Sequence, residues 1–486
     1  MSTNTFLWFT IALHMKGLHI QKNKITVIGF GVSGISVARY FLKQNIAVEV
    51  FEDKKETDFN KESISEFLSN SLFSIHFSDS QYVPNIQDSD YVIASPGVHT
   101  DHRIILLAVE KDVEFITDIN AFSRIFRTQY PQGKIISVTG SNGKSTTVSL
   151  MYEVLRSASL DVYLGGNIGT SPLDYLENIK TDNPIIILET SSYQLEYLKQ
   201  EDYFDVACIL NLSDNHLDRY HGKKELYAQA KLGGIDKEKT KVIVNYDDEY
   251  SKKYILPNLV ANTVVGVEFE HVKTSNVITT ENNEIFFTDG NTKVVYVSNV
   301  KKLKIKGLHN VYNSAFVAGV LYFLEILPSS NIEEGFYTFK GLEHRIQSVR
   351  HIQDVEYIND SKSTSPDATI KALEALGTSK NIVLISGGLD KDISYDSMQQ
   401  VWSDYVRSVV FLPGNANKKL KKLALDTGVE DLGEVATMKE AVNVAYNSSK
   451  SGDTVLLSPS TASFASFKSF EDRGNQFIEC VEGLAR

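Results

Sequence analysis

Cysteine is nearly missing: the 486 residues hold two, Cys208 and Cys480. So distant a pair makes neither a metal-ligand spacing nor a disulfide framework, and a reducing cytoplasm is the expected compartment. Basic residues are not in excess either. Lys and Arg number 49 against 61 Asp and Glu, a net charge of −12. A general nucleic-acid binder needs a basic footprint, so that class is set aside; a local basic pocket stays compatible. No apolar run is long enough for a bilayer. "FLWFTIALHM" (Phe6–Met15) falls well short of the roughly 20 residues a span needs. It also lacks the basic flank and small-residue cleavage site of a signal peptide. It reads as an extension outside the fold, with Met15 as an alternative start. Repeats, low-complexity tracts and charged tails are missing as well.

The remainder is ordinary for a soluble globular chain, 42% hydrophobic and 23% charged. The length suggests about two to four domains. After an extension over 1–23, three α/β blocks follow, over 24–122, 123–340 and 341–486. The first opens with "KITVIGFGVSGISVARYFLKQNIAVEVFEDK" (Lys24–Lys54), a strand–helix–strand crossover. The second has β-rich runs at "KIISVTG", "PIIILETSS", "VACILNLS" and "KVIVNYDD". Each run ends in polar or Gly residues, as a parallel sheet does where it presents ligand-binding groups. Between Val264 and Val300, alternation with "NN" and "DG" turns predicts antiparallel strands. The third block has strands at "EYINDS", "NIVLISGG", "SVVFLPG" and "DTVLLSPS".

Several motifs sit at these strand ends. Gly29, Gly31 and Gly34 form G-x-G-x-x-G between a strand and a helix, with acids about 20 residues on. Alone, this leaves NAD, FAD or a Rossmann-like domain holding something else open. "TGSNGKST" follows a strand and precedes a helical stretch. Its spacing is shorter than the usual phosphate loop, because Val138 stands where the first Gly is expected. Backbone N–H groups of Ser141 to Lys144 can still wrap a phosphate. Lys144 can neutralise β/γ oxygens and Ser145 can ligate Mg²⁺. Glu189 in "LETSSYQLE" stands at a strand end, as a Mg²⁺ ligand or as a helix-capping acid. His216 in "NLSDNHLDRYHG" is ambiguous. Lys231 in "YAQAKL" reads by itself as a solvated helix lysine. Asn310 and Asn313 lie at i, i+3 and face a purine or ribose, or cap a helix. His344, Arg345, Asp360, Lys362 and Thr364 read as a polyphosphate-handling cluster or as a surface salt-bridge cluster.

The ordered series TGSNGKST, GGNIG, LETSSYQLE, NHLDRYHG, AKL, GLHNVYN, GLEHR, NDSKST, SGGLDK and SPSTASFASFKSFEDRG resembles the Mur ligases. These are three-domain, ATP-dependent amide ligases of peptidoglycan precursor synthesis. The resemblance runs over nearly the whole chain from about Ile25, and the short phosphate loop is the family's own form. VIGFGVSG with SPGV, SSYQLE and SFASFKSFEDRGNQF are most similar to the branch that joins D-glutamate to UDP-N-acetylmuramoyl-L-alanine.

The resemblance implies a fold of three domains: a Rossmann-like N-terminal domain for the UDP-substrate, a central P-loop-type ATPase domain and a C-terminal Rossmann-like α/β domain for the amino acid. It replaces NAD by a UDP-sugar at the first glycine loop. It implies that Val32, Ser33 and Asp53 line the uracil end. Ser95, Pro96, Gly97 and Asn167 cradle the pyrophosphate, and Ser191 and Gln194 serve the same substrate. Gly140, Asn142, Gly143, Lys144, Ser145 and Thr146 take the ATP phosphates. Asn310, Asn313, Arg345 and Asp360 contact ATP. Ser145, Glu189, His216 and Lys231 serve two Mg²⁺ sites, with Lys231 carbamylated. Lys362 is catalytic, and Thr364, Lys391, Ser463 and Phe470 surround D-glutamate. One departure stands out: Asn215 replaces the Asp expected before His216. The expected partners are the two small substrates, with no nucleic acid and no membrane, and a monomer in the cytoplasm. The alternatives are a sister ligase with another amino acid or a folate, a non-catalytic nucleotide-binding regulator, and a dehydrogenase.

Overall fold

The computed structural model describes residues 17–58, 64–78, 82, 84–99, 101–168, 170–213, 219–220, 222–260, 263–269, 276–390 and 393–484. The expectations for Phe6–Met15, Asn215, His216 and Lys391 lie outside the described residues. The chain divides into two compact units, Met1–Lys301 with Tyr312–Phe336, and Lys302–Val311 with Tyr337–Arg486.

The first unit holds two sheets. The smaller is all parallel, in the order β3-β2-β1-β4-β5. Its strands are β1 (Lys24–Ile28), β2 (Ala47–Glu52), β3 (Phe73–Phe77), β4 (Tyr91–Ala94) and β5 (Glu114–Thr117). The central strands are apolar on both faces, as a sheet covered by helices on both sides requires. Ile25, Val27 and Ile28 of β1 are fully buried.

The larger sheet has the order β14-β13-β12-β11-β10-β9-β6-β8-β7. Its parallel part comprises β6 (Lys134–Thr139), β7 (Val162–Gly166), β8 (Ile185–Glu189), β9 (Val206–Ile209), β10 (Lys241–Asn245) and β11 (Val264–Val267). The rest is β12 (Val277–Glu281), β13 (Glu284–Thr288) and β14 (Lys293–Val297). The antiparallel expectation for Val264–Val300 is corrected here. β11 pairs parallel with both β10 and β12, and only β12-β13-β14 is antiparallel. The two hairpins turn where expected. Asn282 and Asn283 take positive φ (53° and 67°), and Gly290 has φ 90°, the backbone that tight hairpin turns demand. The first segment, β11, is instead reached by a crossover from β10, and that forces the parallel direction.

The second unit carries one sheet, β15-β16-β20-β17-β18-β19. Its strands are β15 (Gln347–Ile352), β16 (Val355–Asn359), β17 (Ile382–Ser386), β18 (Val406–Phe411), β19 (Glu430–Glu434) and β20 (Thr454–Leu457). Only β15 runs antiparallel, against β16. The loops after β16, β17 and β20 therefore meet at one edge of the parallel core, where such sheets bind ligands.

Candidate active site

β6 runs into the loop 140–143, and the helix Lys144–Ser157 follows at once. Gly140 (φ 152°) and Gly143 (φ 87°) take backbone that an L side chain resists. A Cβ on Gly143 would also lie 2.7 Å from Asn313 Oδ1, which places Asn313 against the loop. Asn211, at the end of β9, clamps the loop from the other side. Its backbone oxygen accepts from Ser141 N–H at 2.8 Å, and its Oδ1 accepts from Asn142 N–H at 2.9 Å. Ser141 Oγ accepts from Ser213 N–H at 2.8 Å and lies 3.1 Å from Tyr227 Oη. Lys144 Nζ donates to the carbonyls of Gly140 (2.7 Å) and Ser141 (3.0 Å). Ser145 and Thr146 follow in the first helical turn, where N–H groups and the helix dipole favour an anion.

Glu189 ends β8, opposite Val138 of β6 and Gly166 of β7. It is 3% exposed. One oxygen accepts from Asn167 Nδ2 at 3.0 Å; the other, Oε2, is buried without a hydrogen-bond partner among the described residues. The capping alternative for Glu189 fails, because Ser191 caps the next helix with Gln194 in a reciprocal box. Ser191 Oγ accepts from Gln194 N–H (3.3 Å) and Ser191 N–H donates to Gln194 Oε1 (3.0 Å).

Lys231 overturns its reading as a solvated lysine. It is 2% exposed, donates to Thr139 Oγ1 at 3.2 Å, and lies 4.6 Å from the Tyr227 ring centroid. Burial, with the Lys144 ammonium nearby, holds its amine well below the usual lysine range. Among the described residues, no group of three His, Cys, Asp or Glu side chains is placed to hold a metal ion. Near the end of β6 the structure offers Glu189 at a strand end, the Ser145 hydroxyl in the first helical turn and buried Lys231.

In the smaller sheet, Gly29 (φ 80°) turns the chain after β1, and Gly34 lets the following helix close on it. Val32 is exposed, and Ser33 hydrogen-bonds buried Asp118, whose carboxyl is pushed up by burial. Asp53, just past β2, pairs with His102 Nε2 at 3.1 Å. Ser95 Oγ donates to Gly29 O at 3.1 Å, and Pro96 and Gly97 continue that loop. The glycine loop and the Ser95 loop are thus joined at the strand ends.

In the second unit, the surface salt-bridge alternative fails for His344 and Asp360, both buried. Asp360 Oδ2 accepts from Ser458 Oγ at 2.7 Å and Oδ1 from Ile346 N–H at 3.2 Å; burial pushes its carboxyl up to about 6. Asn359 Nδ2 lies 2.9 Å from His344 Nδ1. Lys362 Nζ sits 4.0 Å from the Phe470 ring centroid. Ser463 is buried two residues beyond Thr461, and Thr364 N–H donates to Lys362 O at 2.9 Å. Asn310 donates to Lys306 O at 2.6 Å. Burial, then the charges of Lys371 and Arg345, hold neighbouring His309 below its usual range.

Thr139, Asn211, Tyr227 and Arg473 were not singled out from the sequence. Tyr227 and Lys231 stand four apart, so both fall on one helix face; that spacing is the signal that would have found them.

Family models match three stretches of the chain: the MurD-like Mur ligase N-terminal domain over 23–117, the Mur ligase middle domain over 138–321, and the Mur ligase glutamate ligase domain over 344–461. A UDP-N-acetylmuramoylalanine–D-glutamate ligase of Caldicellulosiruptor saccharolyticus is 35% identical over 475 residues, 95% of this chain and 99% of that one. A ligase of the same name from Clostridioides difficile is 32% identical over 469 residues, 96% of this chain and 100% of that one. Among solved structures, a UDP-N-acetylmuramate–alanine ligase of Thermotoga maritima aligns with TM-score 0.55 at 19% identity, over 94% of this chain and 99% of that one. A MurF ligase of Thermotoga maritima in complex with ADP aligns with TM-score 0.56 at 18% identity, over 90% and 94%. With three domain models in order and full-length relatives above 30% identity, the chain belongs to the Mur ligase family.

Proposed function

We propose that this chain joins D-glutamate to UDP-N-acetylmuramoyl-L-alanine at the expense of ATP, releasing ADP and phosphate. The observation that carries the reading is the burial of both Glu189, opposite Val138 of β6, and Lys231, on the hydroxyl of Thr139 in the same strand, where the phosphate loop begins. A mere nucleotide binder has no use for it.

The residues present fit Mg²⁺. Glu189 offers a buried carboxylate oxygen without a hydrogen-bond partner among the described residues, and Ser145 a hydroxyl at a helix start; both are hard oxygen donors. Carbamylated Lys231 and His216 would complete the second site. Bound there, the ion supplies neutralisation of the charge on a transferring phosphoryl group. Carbamylation follows from the buried amine: its neutral lone pair adds to CO₂, an N–C bond forms and a proton leaves to water. The product replaces an unwelcome buried cation with a carboxylate-like ligand.

Lys144 turns from two neutral carbonyls to the β/γ oxygens, the stronger charge-assisted partner. The L-alanine carboxylate attacks the γ-phosphorus, the bond to ADP breaks and an acyl phosphate forms. The free amine of D-glutamate attacks the acyl carbon, phosphate leaves with the electron pair of the broken C–O bond, and the proton that the amine loses goes with it as hydrogen phosphate. Positioning dominates both steps. The first sheet's Val32, Ser33, Asp53 and Ser95–Gly97 hold the UDP end, with Asn167, Ser191 and Gln194 beyond it. Lys362, Thr364, Lys391, Ser463 and Phe470 hold the amino acid, and Asn310, Asn313, Arg345 and Asp360 hold the nucleotide.

The test is phosphate release from ATP with UDP-N-acetylmuramoyl-L-alanine, offering D-glutamate, L-glutamate, meso-diaminopimelate or L-lysine in turn. Release only with D-glutamate is expected. Release with another amino acid keeps the mechanism and rejects the substrate; none at all rejects the enzyme.

A further inference from the structure

Arg473, in the helix Phe470–Glu482, is fully buried. Its Nε donates to Ser361 Oγ at 3.0 Å and its Nη2 to Ser361 O at 2.8 Å. Nη1 and Nη2 both donate to Thr461 O at 3.3 Å. Among the described residues no carboxylate forms an ion pair with it. Burial lowers its proton affinity to about 10, so the guanidinium stays charged near neutrality.

Its partners are themselves tied onward. Ser361 Oγ donates to Phe470 O at 2.8 Å. Thr461 Oγ1 donates to Gly387 O at 2.8 Å. Leu389 and Ala462 exchange backbone hydrogen bonds at 3.0 and 3.2 Å. One planar fork thus spans the loop after β16 and the loop after β20. Through Thr461 it also reaches the loop after β17. A buried cation resting on two carbonyls and a hydroxyl is a poor device for stability, since an apolar replacement is often as stable or more so. A rigid fork does fix the relative placement of two loops, which a lysine's point charge cannot.

We propose that Arg473 is a positioning residue for the amino-acid substrate: by clamping Ser361 and Thr461 it sets Lys362 and Thr364, on one loop, against Ser463 on the other. This rests on the assignment of those side chains to the amino acid. Arg473 itself touches no substrate.

The experiment is steady-state kinetics of Arg473→Lys beside the wild type, with KM read separately for D-glutamate, ATP and the UDP-substrate. Expected is a KM for D-glutamate raised by about tenfold or more, with the other two KM values within about twofold. A fall in kcat with all three KM values unchanged means a structural tie only and overturns the proposal; so does a common rise of all three. If Arg473→Lys gives no soluble enzyme, Ser361→Ala removes one rung and keeps the guanidinium. The same split, at about threefold, is then expected, and an unchanged KM for D-glutamate overturns the proposal. Wild-type turnover separates the two ideas. An enzyme that uses another amino acid rejects the functional reading, and Arg473 is then judged on the KM of that amino acid.

Discussion

A lysine that loses its water and gains a second cation as neighbour gives up its proton more readily. Lys231 is in that position, buried and near Lys144. With ¹³C-bicarbonate, wild-type enzyme should show a carbamate resonance that Lys231→Ala lacks, and the variant should lose at least about 100-fold in kcat. A silent wild-type spectrum would leave Lys231 an amine and remove the second metal ligand. Asp360 is the opposite case. Its folded-state affinity for a proton is raised to about 6, against about 3.9 unfolded. Between these values the native state binds more protons, so this group's stabilisation is complete below about pH 4 and lost as pH rises through about 6. Ligand-free Asp360→Asn should therefore melt above wild type at pH 7.5, by on the order of 2–3 kcal/mol, and near it at pH 4. Phosphate release should fall at the same time, since a carboxylate kept at such a penalty is kept for function. Equal melting at both pH values would show that Asp360 is not strained. Neither environment is legible in sequence. Lys231 caps a short helix of unremarkable composition, and the Thr139 hydroxyl that it meets belongs to β6, far off in the chain. The phosphate loop is legible because its glycines, lysine and serine are consecutive.

Helix and strand meet most tightly at the first glycine loop. A Cβ on Gly34 would lie 2.1 Å from the backbone oxygen of Gly29, so the helix Val32–Lys43 would have to move off β1. Gly34→Ala should cost about 2–4 kcal/mol in urea unfolding. A Cβ on Gly31 meets nothing within 4 Å. Gly31→Ala should fold like wild type and raise KM for the UDP-substrate, because its methyl enters the crevice. A stable Gly34→Ala, or a Gly31→Ala with unchanged KM, would refute the respective half. The elements visible in sequence were those with contiguous apolar runs, such as β1, β8 and β17. β19, "EDLGE", is polar and half-exposed at a sheet edge, so no hydrophobic pattern betrays it. β15 is likewise an edge strand. The parallel direction of β11 was hidden because turn residues name a hairpin but a crossover leaves no local mark.

The two sheets of the first unit are joined by more than chain continuity. Ile25, Phe122 and Phe126 share a core cluster with Ile135, Ile186 and Leu188. Beside it, Asp202 is fully buried. Its oxygens accept from Arg124 Nε at 2.7 Å, Asn120 Nδ2 at 2.6 Å and Lys199 N–H at 3.0 Å. Asn120 and Arg124 lie on the helix Asp118–Gln129 that follows β5, whereas Asp202 follows β8, so the bonds tie one sheet's last helix to the other sheet. Arg39 reaches across in the same way to Asp174 at 3.2 Å, from a half-exposed position, where an ion pair contributes about 1 kcal/mol or less. Asp202→Ala should therefore destabilise by about 2–3 kcal/mol, because it takes the buried acceptor from Arg124, which keeps Glu114 and Glu201, and from Asn120, which keeps Tyr197 O. Arg39→Ala should stay within about 1 kcal/mol. Amide hydrogen exchange distinguishes a shared lock from a local cap. If Asp202 joins the sheets, its loss speeds exchange in β1 and β4 as well as in β8. If exchange rises only around residues 197–205, Asp202 merely caps its own turn, and the sheets are held together by the apolar core alone.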